Sequence, residues 1–368
     1  MVRWRRGTVL SVSRRWGGTV ELLVAVGADG AAADQQVTPV RALAFPELVG
    51  EPAVDDEVLL TTGALERGLG TGGYAMVAAL PGRLPDQPRA DGGHLVKARY
   101  TPLQAMVLGA DEQGSPHHEL LREADDLAGM PVVVADLHSA LPAIVAGLRT
   151  VAPDAAVAYV MTDGGALPAW FSRTVDELRA AGWIRGCVSV GQAFGGDLEA
   201  VTVHTGLLAA RLVLGADVAV VAQGPGNLGT GTRWGFSGVA AGEALNATTV
   251  LGGRPVASLR VSEADERERH LGVSHHSLTA YGRVALAPSD VVVPRLHGEL
   301  GERVRAQAAL LAPPVGRHRL VEVDCTGLVD ALRACPVRLS TMGRGLDDDT
   351  ASFLASAAAG VHAAALLS

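Results

Sequence analysis

Residues 216–238 read ADVAVVAQGPGNLGTGTRWGFSG, an apolar run of strand length followed at once by six glycines within the sixteen residues from Gln223 to Gly238. Glycine loses much conformational freedom on folding, and it is retained where the backbone needs a positive φ or a close approach. A strand that ends in such a loop presents backbone N–H groups to whatever lies there. The stretch therefore predicts a ligand-binding loop that follows a buried strand.

From residue 94 onward, short apolar runs alternate with helix-length amphipathic segments. Strands are predicted at 132–135, 156–160, 186–190, 218–222 and 255–261, and helices at 140–148, 170–181, 198–214 and 352–367. This alternation predicts a mainly parallel, doubly wound, Rossmann-like sheet with helices on both faces.

The chain before this region has a different pattern. Short β-type runs with close Gly-Gly and Asp-Gly turns predict a small antiparallel β-barrel over residues 1–85. Proline, glycine and charged residues are concentrated at 81–93, and we predict a linker at 86–93 followed by the α/β domain at 94–368.

The glycine loop allows three interpretations. Residues 224–229 satisfy GxGxxG, but further glycines follow and the next strand-end acid, Glu263, is farther on than a dinucleotide fold requires. A phosphate or other anion held by the loop is the second interpretation, and tight packing alone is the third. The cofactor therefore stays unknown, and the candidate binding residues are Gly224, Gly226, Asn227, Gly229, Thr230, Gly231, Thr232 and Arg233.

Polar residues follow nearly every predicted strand. They include Asp136 and His138 after the first strand of the α/β region, Asp163 after the next, and later Gln192 and Gln223. Ligands of open parallel sheets bind outside the carboxyl ends of the strands, so these residues mark one edge as the candidate site.

Three further residues are candidates for the same site. Lys97 is the only lysine among 31 basic residues, so it is either a functional amine or a chance survivor of biased composition. His275 and His276 follow a charged segment, 262–271, and this region is either a lid or a solvated hairpin.

A metal site is a weaker interpretation. Asp136, His138 and His204 carry ligand types that suit Zn or Mn, and His275 and His276 could join His138 and His204 in such a site. The Asp-x-His spacing of Asp136 and His138 is that of metal-dependent phosphoesterases. The other motifs of that class are absent from the sequence, so we expect the protein to bind no stoichiometric metal.

Composition excludes several classes. The net charge of −8 argues against a general nucleic-acid binder, although five arginines lie within residues 3–15; these could instead pair with the acidic α/β domain. Three cysteines without CxxC spacing and the lack of a long apolar segment favour a cytoplasmic protein without membrane contact. A homo-oligomer is compatible with the sequence.

Several segments together identify a family resemblance. HLVKARYTPLQ (94–104), VVADLHSALP (133–142), YVMTDGGALP (159–168) and LGVSHHSLTAYGR (271–283) resemble, with the glycine loop, a bacterial family known as domain of unknown function thirty-eight sixty-six. The resemblance covers most of the chain and implies no activity, so no residue role follows from it.

The leading hypothesis is an α/β enzyme that acts on a small phosphorylated or otherwise anionic substrate. The loop would bind the anion, Asp136, His138 and Asp163 would supply acid and base groups, and Lys97 or the His275–His276 pair would complete the site. The alternatives are a non-catalytic ligand sensor or scaffold whose barrel binds nucleic acid or a partner, and a metal-dependent hydrolase.

Overall fold

The structure of the chain is a computed structural model that describes residues 2–27, 38–85, 93–165 and 167–367. It divides into two compact units, Met1–Gly92 and Gly93–Ser368. Of the linker expected at 86–93, only Gly93 is described, and residues 86–92 lie outside the described residues.

The first unit is a closed five-stranded barrel with the strand order β1–β2–β3–β5–β4 and a return from β4 to β1. Its elements are β1 (Trp4–Trp16), β2 (Thr19–Val26), β3 (Thr38–Ala44), α1 (Pro46–Val49), β4 (Glu57–Thr61), α2 (Gly63–Glu66) and β5 (Ala75–Ala79). The β3–β5 pair is parallel, and the other pairs are antiparallel as expected.

The strands of the second unit form one large sheet and three hairpins. In chain order they are β6 (Leu95–Lys97), β7 (Ala105–Val107), β8 (Pro131–Val134), β9 (Val157–Thr162), β10 (Gly186–Ser189), β11 (Leu198–Glu199), β12 (Val218–Gln223), β13 (Arg254–Ser258), β14 (Val261–Ser262), β15 (Gly272–Val273), β16 (Asp290–Arg295), β17 (Arg319–Asp324), β18 (Ser340–Thr341) and β19 (Arg344–Gly345). The sheet has the order β11–β10–β9–β12–β8–β13–β16–β17, and all of its pairs are parallel. The hairpins are β6–β7, β14–β15 and β18–β19.

Helices cover both faces of the sheet. They are α3 (His118–Leu121), α4 (Leu141–Arg149), α5 (Arg173–Ala180), α6 (Val203–Leu212), α7 (Ala240–Val250), α8 (His275–Thr279), α9 (Gly298–Ala308), α10 (Leu328–Arg333) and α11 (Thr350–Ala365). Alternate residues of β8 enter opposite cores: Val132 packs with α6 and α7, whereas Val133 packs with α4 and α5. This two-sided burial explains why the sheet strands are apolar throughout, and it confirms the predicted Rossmann-like α/β class.

Some predicted elements differ from those observed. The helix expected at 198–214 is split into β11 and α6, because Thr202 caps α6 by accepting a hydrogen bond from the Thr205 N–H. The helix expected at 170–181 is a 3-10 turn, Ala169–Phe171, followed by α5, with Ser172 as its N-cap. Within the described ranges, no helix combines the length and hydropathy that crossing a membrane requires.

Helices α4 and α11 pack closely through glycine. A Cβ atom on Gly147 of α4 would overlap the carbonyl oxygen of Ala357, and one on Gly360 of α11 would overlap that of Ile144. The two backbones therefore touch directly, and they do so on the face of the sheet that also holds Val133.

We expect Gly360→Ala to destabilise the protein by roughly 1–3 kcal/mol, because the added methyl group separates the two helices. Alanine is the better helix former by about 1 kcal/mol, so a gain in stability would show that the contact is not tight. Urea unfolding measures the change. Gly82→Ala, where a Cβ meets nothing within 4 Å, is the control and should be close to neutral.

Candidate functional site

The candidate site lies at the carboxyl edge of four neighbouring strands, β9, β12, β8 and β13. Because these strands are parallel, the residues that follow them meet at one edge of the sheet. Asp136 follows β8, Gln223 ends β12, and Arg260 follows β13. Gln223 Nε2 donates a 2.6 Å hydrogen bond to the Asp136 carbonyl oxygen, which ties two of these strand ends together.

Asp136 is the most unusual group at this edge. It is 3% exposed, and its Oδ2 atom has no hydrogen-bond partner among the described residues. Burial by itself raises the pKa of this carboxyl, but His276 and Arg260 outweigh that effect and hold the pKa below its ordinary value. Asp136 is therefore a buried carboxylate that is ionised at neutral pH.

His276 and Arg260 flank this carboxylate. His276 Nδ1 lies 3.4 Å from Asp136 Oδ2, and Arg260 Nη1 lies 3.6 Å from the same oxygen. The two side chains also meet each other, with 3.1 Å between Arg260 Nη1 and His276 Nδ1. The ring of Phe236 stacks on the His276 ring at 3.8 Å with an interplanar angle of 2°. We call Asp136, Arg260 and His276 the central triad.

Two more histidines adjoin the central triad. One ring nitrogen from each of three histidines, His270, His275 and His276, lies within 4.8 Å of the other two. Burial, with help from neighbouring cations, lowers the pKa of His270 to about 3 and that of His275 to about 4. Both rings are therefore neutral at pH 7. We call His270, His275 and His276 the histidine cluster.

The glycine loop closes on itself as a hairpin above this edge. The Thr230 N–H donates to the Gly235 carbonyl oxygen at 2.7 Å, and the Ser237 N–H donates to that of Leu228 at 2.9 Å. Gly226 and Gly231 have φ of 103° and 77°, which only glycine adopts without strain. The helix after the loop, α7, begins only at Ala240, as expected from the glycines that precede it.

The candidate binding residues of the loop are divided between its base and its tip. Asn227 is at the base, where its Oδ1 accepts a hydrogen bond from Ser237 Oγ while its buried Nδ2 has no described partner. At the tip, Thr230 Oγ1 and Thr232 Oγ1 are 3.1 Å apart. Arg233 is exposed. The loop contacts the central triad through Phe236, whereas binding by its N–H groups stays a prediction.

Asp163 and Lys97 lie farther along the edge. Asp163 Oδ2 accepts from the Gln192 N–H at 3.0 Å, and Asp163 is exposed. Lys97 is 3% exposed and donates to Glu199 Oε2 at 2.8 Å and to the carbonyl oxygens of Ser189 and Ala193. An ammonium group has three protons to donate, so these contacts account for all of them.

His138 and His204 are apart from the central triad. His138 Nδ1 is 3.0 Å from Tyr159 Oη, and its Nε2 is 2.8 Å from Ser172 Oγ, so both ring nitrogens are already hydrogen-bonded. His204 is exposed in the first turn of α6. The structure thus brings together Asp136, His275 and His276 from the predicted set.

Arg260, His270 and Phe236 were not predicted as site residues. The predicted strand extends through Val261, whereas β13 ends at Ser258. Arg260 therefore follows a strand at the carboxyl edge, where site residues are expected. His270 lies only five residues before His275 in the segment already singled out. A prediction that ended this strand at Ser258 would have identified Arg260 as a residue that follows the strand.

The arginines of the first unit form ion pairs inside that unit. Arg3 pairs with Glu66, Arg6 with Glu57 and Arg15 with Glu51. Carboxylates of the barrel therefore neutralise part of the basic segment.

The fold and the site define a class of protein: an α/β protein with a buried carboxylate, guanidinium and imidazole at the carboxyl edge of its sheet. The model of the family described as "Protein of unknown function (DUF3866)" matches residues 41–360, and the chain belongs to this family. No curated protein matches the chain at a significant level.

The buried His138 should make stability depend on pH. Burial lowers its pKa from 6.5 to about 4 in the folded protein, so between these values the unfolded chain binds the additional proton. Stability therefore falls as the pH falls through this window. We expect the loss between pH 7 and pH 5, measured by urea unfolding, to be about 2 kcal/mol smaller in His138→Leu. Equal losses in both proteins would contradict the shift.

Replacing Lys97 separates a structural role from a catalytic one. Lys97→Met leaves the buried Glu199 carboxylate without its cation, and we expect a loss of about 3–5 kcal/mol in urea unfolding. The double variant Lys97→Met/Glu199→Gln buries no charge and should recover much of that loss. A Lys97→Met protein as stable as the parent would contradict the structural role.

Proposed function

We propose that the carboxyl edge of the sheet is the active site of an enzyme that acts on a small anionic molecule, with the central triad as its reacting centre. The observation that carries this proposal is the ionised Asp136 carboxylate, which is 3% exposed and has one oxygen without a hydrogen bond. Ionised groups with shifted pKa values in such surroundings occur preferentially at functional sites.

Burial of this carboxylate is unfavourable for folding, and a functional role would explain why it is retained. An uncompensated buried charge costs several kcal/mol, and the contacts of 3.4 and 3.6 Å from His276 and Arg260 are too long to satisfy Oδ2 fully. A hydrophobic residue at this position would avoid the penalty. A carboxylate held beside an imidazole is the arrangement that orients and activates a histidine for proton transfer.

The charge around the triad favours an anion. Burial is the largest cause of the lowered pKa of His275; His276, Arg269 and Arg260 lower this pKa further, and Asp136 raises it. Two guanidinium groups therefore lie close enough to act on this ring, although the whole chain carries −8. Arg269 also approaches the glycine loop, because a Cβ built on Gly231 would lie 3.8 Å from its Nη2. An anion between the triad and the loop would thus meet two guanidinium groups.

The space beside Asp136 is small: each cavity that it lines has a volume of about 10 Å³, room for about one water molecule. Two small cavities have Asp136 in their walls, one beneath the glycine loop with Gln223 and Gly238, and one beside Arg260 with Ser139 and Thr341. In the proposed reaction, Arg260 binds the anionic group and the Asp136–His276 pair transfers the proton. Gln223, whose Oε1 is buried without a described partner, offers an acceptor for a donor group of the substrate.

Anion binding can be tested by thermal unfolding. Inorganic phosphate, pyrophosphate and a panel of nucleotides and sugar phosphates should include a compound that raises the melting temperature, since a ligand at 100 times its Kd stabilises by about 2.7 kcal/mol. Arg260→Gln should abolish the rise. Arg305→Gln, which changes an exposed arginine of α9, should retain it. Absence of any rise in the parent, or its persistence in Arg260→Gln, would contradict anion binding by the triad.

Turnover distinguishes an enzyme from a ligand sensor. The stabilising compound is incubated with the parent and with Asp136→Asn, and mass spectrometry follows its fate. We expect the parent to convert it and the folded variant to return it unchanged. A compound that both proteins return intact would make the protein a sensor.

A further inference from the structure

We propose that the histidine cluster, His270, His275 and His276, is a binding site for a transition-metal ion of the Zn²⁺ or Co²⁺ type. This inference rests on the proposed function in that it adds a metal to the same centre, but metal binding can be measured without any substrate. It departs from the expectation, drawn from the sequence, that no metal is bound. Of the histidines considered there, only His275 and His276 take part, and His270 is added.

The distances are close to those of a metal site. The three donor nitrogens lie within 4.8 Å of one another, and zinc–nitrogen bonds of about 2.0–2.1 Å in a tetrahedral site place nitrogens about 3.3 Å apart. The ring centroids are separated by 4.4 to 5.0 Å. Small rotations of these side chains would bring the nitrogens together, as expected for a cluster that contracts when an ion enters.

The hydrogen bonds around the cluster leave one nitrogen of each ring for an ion. His270 Nδ1 is 2.7 Å from Ser274 Oγ, so its Nε2 is the available ligand atom. His275 Nε2 is buried without a described partner. In a protein interior such an orphaned nitrogen is uncommon, and coordination would satisfy it.

Asp136 supplies the independent observation that points to a ligand. Its orphaned Oδ2 is 3.4 Å from His276 Nδ1. His276 Nδ1 accepts from Arg260 Nη1 in the structure, at 3.1 Å, because a guanidinium group can only donate. Binding of a metal at Nε2 would require this contact to open and the Nδ1 proton to be donated to Asp136 Oδ2. Ligating histidines usually donate their other N–H group to a carboxylate in this way. One ion would therefore satisfy two buried atoms, His275 Nε2 directly and Asp136 Oδ2 through His276.

The donor set also selects the kind of ion. Three imidazoles suit Zn²⁺, Co²⁺ or Ni²⁺, whereas Mg²⁺ and Ca²⁺ require oxygen ligands. Three protein ligands leave a fourth position open, as in catalytic zinc sites, and a water molecule or an oxygen of the anionic substrate would occupy it. The charge of the ion would add to that of Arg260 and Arg269, and Asp136 and the bound anion would offset it. With the ion present, both nitrogens of His276 would be occupied, so Asp136 would be a positioning residue for His276 and the proton transfer proposed for the Asp136–His276 pair would apply only to the metal-free centre.

Direct metal measurements test the site. The full chain, purified without a polyhistidine tag and stripped with EDTA, is titrated with Zn²⁺ and with Co²⁺ in the absence of phosphate. We expect one ion per chain by elemental analysis, and a visible absorption spectrum of four-coordinate Co²⁺. No stoichiometric ion, or binding only at several surface sites, would overturn the proposal.

Matched variants locate the ion. His275→Ala breaks no described hydrogen bond of that ring and should weaken Zn²⁺ binding at least 100-fold, whereas His204→Ala, at an exposed histidine, should leave it unchanged. Asp136→Asn retains all three ligands and should weaken binding about 10- to 100-fold. Undiminished Zn²⁺ affinity in His275→Ala would overturn the proposal.

The two proposals fail separately. Anion binding by the EDTA-treated protein without any metal uptake would overturn the metal site and leave the proposed function intact. Stoichiometric metal lost in His275→Ala, without stabilisation by any anion, would support the metal site and contradict the proposed substrate class.

Discussion

The parallel sheet depends on helices that bury both of its faces, because all-parallel strands carry apolar side chains on both sides. On one face this cover is provided by α4 and α11, whose backbones touch at Gly147 and Gly360. On the other face α6 and α7 pack against the alternate residues of the same strands. With both faces covered, the carboxyl edge is where the loops after the strands carry exposed and polar groups.

The central triad shows how this edge differs from the rest of the interior. Two other buried carboxylates of the second unit have close partners: Lys97 donates to Glu199, and Ser262 and Arg344 donate to Asp349. At Asp136 the cation and the imidazole are close, but one carboxylate oxygen has no hydrogen bond. Among the described residues, Asp136 is thus the one carboxylate with a buried oxygen that lacks a hydrogen bond, and it lies where four strand ends converge.

The sequence was sufficient for the fold class and for part of the site. Alternating strands and helices predicted the parallel sheet, and parallel strands in turn place Asp136 and Gln223 on one edge. It was not sufficient for the roles of Lys97 and His138, since their partners, Glu199 and Tyr159, are distant in the chain and no local pattern encodes these pairs. Arg260 was missed because the apolar pattern continues to Val261 although β13 ends at Ser258, where the chain turns toward the β14–β15 hairpin.

The contact between Lys97 and Glu199 has a consequence for synthesis of the chain. The two residues are separated by 102 positions, and Lys97 emerges from the ribosome first. At about 5–20 residues per second, the β6–β7 hairpin waits about 5–20 s before its partner exists. During that interval the lysine is hydrated and the hairpin has no edge strand to dock on. This corner of the second unit therefore cannot close before β10 and β11 have been made, whereas half of the strands of the sheet, β12, β13, β16 and β17, are synthesised later still.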